Sequence, residues 1–154
     1  MAKVLIMRGL PGAGKSTWIR NNLPDAIVCS ADNYYLDEEG TYEFDISSLS
    51  EAHESCLKRF TEILTINDDE ILNKSLIIAV DNTAIRAWEI SPYFNLAKAF
   101  GHDVTVVHMK CDSDLAHSRN IHEVPLEQVE KMDEGLSSEA LPSFWNVEVI
   151  EQDC

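Results

Sequence analysis

The chain has 154 residues, 45% hydrophobic and 25% charged, with a formal net charge of −15. That length suits one domain around a single core, and the composition excludes a disordered or collagen-like chain. The charge excludes a protein that coats DNA or RNA non-specifically, because long polyanions are repelled.

Val4 to Met7 is a short continuous apolar run, as expected of a strand buried on both faces. The residues around it lack the charged, long apolar and cleavage regions of a secretory leader. No apolar run reaches the ~18 residues of a membrane span, so no membrane contact is expected. Gly9-Leu10-Pro11-Gly12-Ala13-Gly14-Lys15-Ser16 follows directly and matches the phosphate-loop pattern at every fixed position. Its glycines let the backbone curl until several N–H groups converge on phosphate oxygens. Lys15 supplies a mobile positive charge for the β- and γ-phosphates, and the Ser16 hydroxyl is placed to ligate Mg²⁺. Lys15 to Asn22 reads as a helix whose N-terminus faces the same anion, ending before Pro24.

Ala26 to Cys29 is a second buried-type strand. Ser30 to Tyr42 is polar, aromatic and acidic, with Gly40 as a turn signal, and reads as a loop. Asp32 lies just past the strand end, where a carboxylate either accepts the proton of an attacking hydroxyl or caps a turn. Tyr34 and Tyr35 sit in the same loop, where an acceptor would bind. Ile46 to Ile66 has helical periodicity; His53 and Cys56 share one face of it and read as core.

Leu76 to Val80 is the third strand, and Asp81 ends it. An apolar run closed by Asp is the second common element of phosphate-loop proteins, where the carboxylate assists Mg²⁺. Asn82 and Thr83 either face the acceptor or stabilise a turn. Arg86 and Arg119 are the candidate charge-stabilising groups outside the loop, the alternative for each being a surface ion pair; Arg8 and Arg20 are assigned structural roles. Trp88 to Phe100 is a helix stopped by Gly101, and Val104 to Met109 a fourth strand. Ser113 to Asn120 and Pro125 to Met132 read as helices, with a lid at about 119–125 between them, and Phe144 to Ile150 as a final edge strand. Trp88 and Trp145 are expected in the core. From Glu123 onward one basic residue, Lys131, faces nine acidic ones, which reads as a solubilising surface.

Cys29, Cys56, Cys111 and Cys154 show no metal-pair spacing, so zinc is not expected and the thiols read as reduced, in a cytoplasmic protein. Strands alternate with helices throughout. The expectation is one α/β domain over residues 1–154, a mostly parallel sheet with helices on both faces and a site beyond the strands' carboxyl ends.

Arg8 to Trp18, Ala31-Asp32-Asn33-Tyr34, Asp81-Asn82-Thr83, Ala97-Lys98 to Gly101, and Arg119-Asn120 together give a pattern that resembles the kinase domain of phage-type polynucleotide 5′-hydroxyl kinases. It is also similar to related small phosphate-loop ATPases of the AAA-like kinase group. The resemblance implies the three-layer P-loop NTPase fold, with ATP and Mg²⁺ as cofactors. It implies Asp32 as the general base and an arginine, Arg119, at the start of the lid. With the residue readings above, the cofactor set is Gly9, Pro11, Gly12, Ala13, Gly14, Lys15, Ser16, Thr17 and Arg119. Ser16 and Asp81 form the metal set. Asp32, Tyr34, Tyr35, Asn82, Thr83 and Arg86 form the acceptor set. Tyr35 stands where the phage enzyme has an arginine, and the lid carries His122 and Glu123 in place of several basic residues. Three functions stay open: a kinase for 5′-hydroxyl nucleic acid ends, a kinase for a small hydroxylated molecule or nucleoside, and a nucleotide-dependent binding module.

Overall fold

The computed structural model describes residues 2–66, 76–120 and 123–151. His122, with it part of the expected lid, and Cys154 lie outside the described residues. Strand β1 (Lys3–Gly9) leads into helix α1 (Lys15–Asn22), then β2 (Ile27–Cys29) and a 3₁₀ turn (Ala31–Tyr35). A second 3₁₀ turn (Ile46–Ser48) enters α2 (Leu49–Leu64). β3 (Ile77–Asp81), α3 (Ala87–Ala99), β4 (Asp103–Lys110), α4 (Ser113–Arg119), α5 (Leu126–Ser138) and β5 (Val147–Glu151) complete the chain. None of these helices is long and apolar enough to cross a membrane.

The five strands run in the order β2-β3-β1-β4-β5, and every pairing is parallel. Parallel neighbours need long crossovers, and the helices supply them, covering both faces. The alternation of β1 shows how. Val4 and Ile6 join one buried cluster with Phe60 of α2 and Ile90 and Phe94 of α3. Leu5 and Met7 join the other, with Ile19 of α1, Ala116 of α4 and Val129 of α5. The result is three layers with the sheet in the middle.

Several expectations shift by a turn. The helix expected from Ile46 starts at Leu49, because Asp45 caps the preceding 3₁₀ turn by accepting from the Ser47 amide at 3.0 Å. Pro125 is the residue before α5 rather than its first member, and the helix runs on to Ser138. The final strand is an edge strand, as expected, over Val147–Glu151. Trp145 is buried and stacks on Phe94, 4.8 Å between centroids. Trp88 is 73% exposed and corrects the expectation of a core position: it lies in the first turn of α3, on the side away from the sheet.

Arg8 is 3% exposed, inside the sheet. Its Nε donates to the Ala84 carbonyl at 3.0 Å and its Nη2 to the Ile85 carbonyl at 2.6 Å. Burial holds its pKa below the usual guanidinium range, opposed by Glu139 and Glu89. This buried cation laces β1 to the loop after β3, where Ala84 takes a positive φ of 50°.

Phe60 is fully buried, its ring edge-on to Tyr93 at 5.1 Å. Phe60→Ala is expected to cost about 3–5 kcal/mol of stability, read as a lower urea midpoint at unchanged slope.

Candidate functional site

The carboxyl ends of β1 and β3 meet at one height, with Met7 paired to Asp81. The chain leaves β1 at Gly9 and turns back through Gly12 (φ 83°) and Gly14 (φ 87°) into α1. At Gly12 a side chain is impossible, because a Cβ would collide with the Ala116 carbonyl of α4. The loop therefore rests directly on the helix that ends in Arg119. Gly14 closes the turn in the left-handed region, which glycine enters without steric cost. The Gly9 amide donates to the Thr83 carbonyl at 2.9 Å and ties the loop to the end of β3.

Lys15 folds over its own loop. Its Nζ donates to the Gly9 carbonyl at 3.0 Å and the Leu10 carbonyl at 2.8 Å. Burial lowers its pKa to about 8, with Asp81 and Asp32 acting in the opposite direction. The Ser16 Oγ donates to Asp81 Oδ2 at 2.5 Å. One hydroxyl and one carboxylate are thus joined at the mouth of the loop, both hard oxygen donors suited to a small divalent cation.

Asp32 sits in the 3₁₀ turn after β2. Ser30 caps that turn by accepting from the Asp32 amide at 3.2 Å. Asn82 holds it from below: the Ala31 amide donates to Asn82 Oδ1 at 2.9 Å, while Asn82 Nδ2 reaches Cys56 Sγ at 3.7 Å. The chain then runs out to Gly40 and returns, with Leu36 bridged to Tyr42. That return brings the Tyr42 hydroxyl to Asp32 Oδ1, to which it donates at 3.3 Å. Burial and the neighbouring carboxylate push the Tyr42 phenol up to about 12, so it stays a donor at neutral pH.

A cavity of about 1310 Å³ joins these parts. Pro11, Gly12, Gly14, Lys15, Ser16, Thr17, Asp81, Asn82, Thr83, Asp32, Tyr35 and Arg119 all line it. Gly9 and Ala13 lie beneath it, Gly9 contributing its carbonyl to Lys15 and Ala13 its buried methyl. Two members of the acceptor set do not line it. Tyr34 is 46% exposed, its ring edge-on to Tyr35. Arg86 precedes α3; its backbone N–H donates to Glu89 at 2.7 Å and its guanidinium pairs with Glu139 at 3.6 Å. Conversely Arg20, assigned a structural role, lines the cavity, with Nη2 3.3 Å from Thr17 Oγ1. His53 lines it too, where core packing was expected.

Among the residues missed are Tyr42, Phe44, Ile46 and Leu49, which line the cavity on the Asp32 side. The one signal was the Gly40 turn, which reverses the chain ahead of α2. Tyr35 is buried between Tyr42 (5.9 Å, 74°) and Phe44 (5.1 Å, 59°).

The profile of the AAA domain family matches residues 4–137. Human NEDD4-binding protein 2 is 34% identical over 139 residues, covering 84% of this chain and 7% of that protein. Rat YLP motif-containing protein 1 is 27% identical over 156 residues, covering 85% of this chain and 11% of that protein. The chain therefore spans only a small part of these curated relatives. Among solved structures, the Mycobacterium tuberculosis APS kinase CysC, in complex with AMPPNP and APS, superposes with a TM-score of 0.60. It is 17% identical and covers 99% of this chain and 90% of that one. The Pnkp1/Rnl/Hen1 RNA repair complex gives a TM-score of 0.66 at 15% identity, over 88% of this chain and 44% of that one. The fold is thus an α/β P-loop NTPase fold, shared with that APS kinase. With its complete phosphate loop, its Ser16–Asp81 pair and a profile spanning most of its length, the chain belongs to the AAA domain family.

Proposed function

We propose that the chain is an ATP-dependent phosphotransferase and that its acceptor is the 5′-hydroxyl of a nucleic acid end. The observation that carries the reading is one cavity lined by both the phosphate loop and Asp32. The loop amides and Lys15 hold the β- and γ-phosphates. Arg119, standing at the end of the helix that touches Gly12, neutralises charge on the transferring group. Asp32 takes the proton as the acceptor oxygen attacks the γ-phosphorus; the bond to the β-phosphate oxygen breaks and ADP leaves. Tyr42 holds the Asp32 carboxylate by its hydrogen bond. Ser16 and Asp81 would hold Mg²⁺, which would neutralise part of the phosphate charge when bound. The likeness to a kinase in complex with AMPPNP supports the nucleotide, and the likeness to an RNA repair complex supports this choice of acceptor.

A second reading, transfer to a small hydroxylated molecule or nucleoside, is favoured by charge. From Asp32 to His53 there are seven carboxylates and no Lys or Arg.

Transfer from γ-labelled ATP to a panel of acceptors separates these readings. Label on a 5′-hydroxyl oligonucleotide is the expected result. Label on small alcohols alone selects the second reading. ATP binding without acceptor-dependent transfer leaves a nucleotide-binding module and overturns both.

Asp32→Asn is expected to keep ATP affinity and lower transfer by about 10²–10⁴-fold, the usual contribution of a general base. An unchanged rate would remove Asp32 from the mechanism.

The lowered pKa of Lys15 sets a pH dependence. Polyphosphate binding needs the ammonium, so above about pH 8 the site must take up a proton as the nucleotide enters. ADP affinity by calorimetry is expected to weaken as pH rises beyond that point, by up to about tenfold per unit. In Lys15→Met, with no proton to regain, the affinity is weak and its pH dependence flat over the same range.

A further inference from the structure

The Asp32 half of the cavity differs in kind from the phosphate-loop half. Its wall is Tyr42, Phe44, Ile46 and Leu49. Phe44 is 54% exposed and Ile46 75%, and with Tyr42 and Leu49 they line one cavity. Exposed apolar side chains gathered in a concave site mark a surface that meets an apolar ligand. The wall is also held in shape. The Tyr35 ring is buried behind it and touches both Tyr42 and Phe44 at tilted or edge-on angles. Leu36 bridged to Tyr42, and the Glu43 amide donating to the Tyr35 carbonyl at 3.0 Å, fix the backbone that carries the rings.

Charge is distributed to match. The Lys and Arg residues that line the cavity are Lys15, Arg20 and Arg119, on the phosphate loop, on α1 and at the end of α4. The segment that builds the Asp32 half has only carboxylates. A phosphate next to the reacting hydroxyl would be repelled there, whereas a neutral planar ring meets aromatic and aliphatic faces. Aromatic side chains accept any base, because every base has a π-face.

We propose that Tyr42, Phe44, Ile46 and Leu49 form a ring-binding subsite for the acceptor's terminal nucleoside, which is held through its uncharged base and not through its 3′-phosphate. This rests on the phosphotransfer reading of the same cavity and deepens it by naming what the acceptor side recognises. The subsite presents a primary hydroxyl to Asp32 while the ring lies on the wall. It serves a free nucleoside or the first residue of an oligonucleotide equally, and acceptor binding depends little on salt.

The test compares thymidine, thymidine 3′-monophosphate and a 5′-hydroxyl oligonucleotide as acceptors for the wild type, Phe44→Ala, Ile46→Ala and Phe44→Trp. Phe44 and Ile46 stand outside both core clusters, so the variants are expected to fold. The expected result is a rise of at least tenfold in acceptor KM for Phe44→Ala, an unmoved KM for ATP, and recovery in Phe44→Trp. Thymidine is expected to match or exceed its 3′-monophosphate in kcat/KM. A tenfold or greater preference for the 3′-monophosphate overturns the subsite and leaves the kinase reading intact. An acceptor KM indifferent to both alanine variants does the same. Should no acceptor take label, thymidine is titrated by NMR into protein saturated with AMPPNP and Mg²⁺. Binding that Phe44→Ala removes then upholds the subsite while the phosphotransfer reading falls; no binding overturns both.

Discussion

The hydrogen bond from Ser16 to Asp81 joins two segments 65 residues apart, and its geometry depends on two parallel strands ending together. Parallel pairing of β1 with β3 sets Met7 beside Asp81. The phosphate loop and the acidic strand end then emerge on the same edge of the sheet. A register shift of one residue would turn Asp81 to the other face and take its carboxylate away from the loop. The two buried clusters prevent that shift, because Ile78 and Val80 pack on one face and Ala79 on the other. Packing of apolar residues on both faces of the sheet is therefore what holds the polar chemistry at its edge.

A second constraint is the coupling of loop, turn and α4. Gly12 lies against Ala116 with no room for a side chain, so the loop rests directly on α4, the helix that ends in Arg119. On the other side, Asn82 receives the Ala31 amide and so ties the Asp32 turn to the end of β3. Cys56 lies behind Asn82, buried, with its thiol pKa raised by that burial; it serves as packing and a weak hydrogen-bond partner. Glu89 and His53 line both the large cavity and a small chamber beside Asn82 and Tyr93. Three strand ends thus present the loop, Asp32 and Asp81 from one rigid edge, as open parallel sheets generally do.

Charge separates the two halves of the cavity. A chain with a net charge of −15 concentrates Lys15, Arg20 and Arg119 around the phosphate loop. Lys15 is buried there, donating to two carbonyls, and burial loosens its proton against the opposing pull of Asp81 and Asp32. On the Asp32 side aromatic rings replace cations. Tyr35 packs behind them with its hydroxyl buried and without a hydrogen-bond partner among the described residues. An orphaned buried hydroxyl costs roughly 1–3 kcal/mol, a cost the ring packing must offset.

Local sequence determined the phosphate loop, the alternation of strands and helices, and the carboxylates that close β2 and β3. Each of these depends on near neighbours: glycines for a tight turn, apolar runs for buried strands, caps and breakers for helix ends. Tertiary structure alone decided which distant side chains share the cavity. Arg20 faces it because α1 starts at the loop and turns that side inward, while Arg86 is drawn to Glu139 at the end of α5. Trp88 is exposed because its helix buries Ile90 and Phe94 instead. Tyr42 reaches Asp32 because the chain reverses at Gly40, and Phe44 follows because the Tyr35 ring packs between them. Spacing along the chain says nothing of such meetings, since they are set by sheet order and by which faces the core has already claimed.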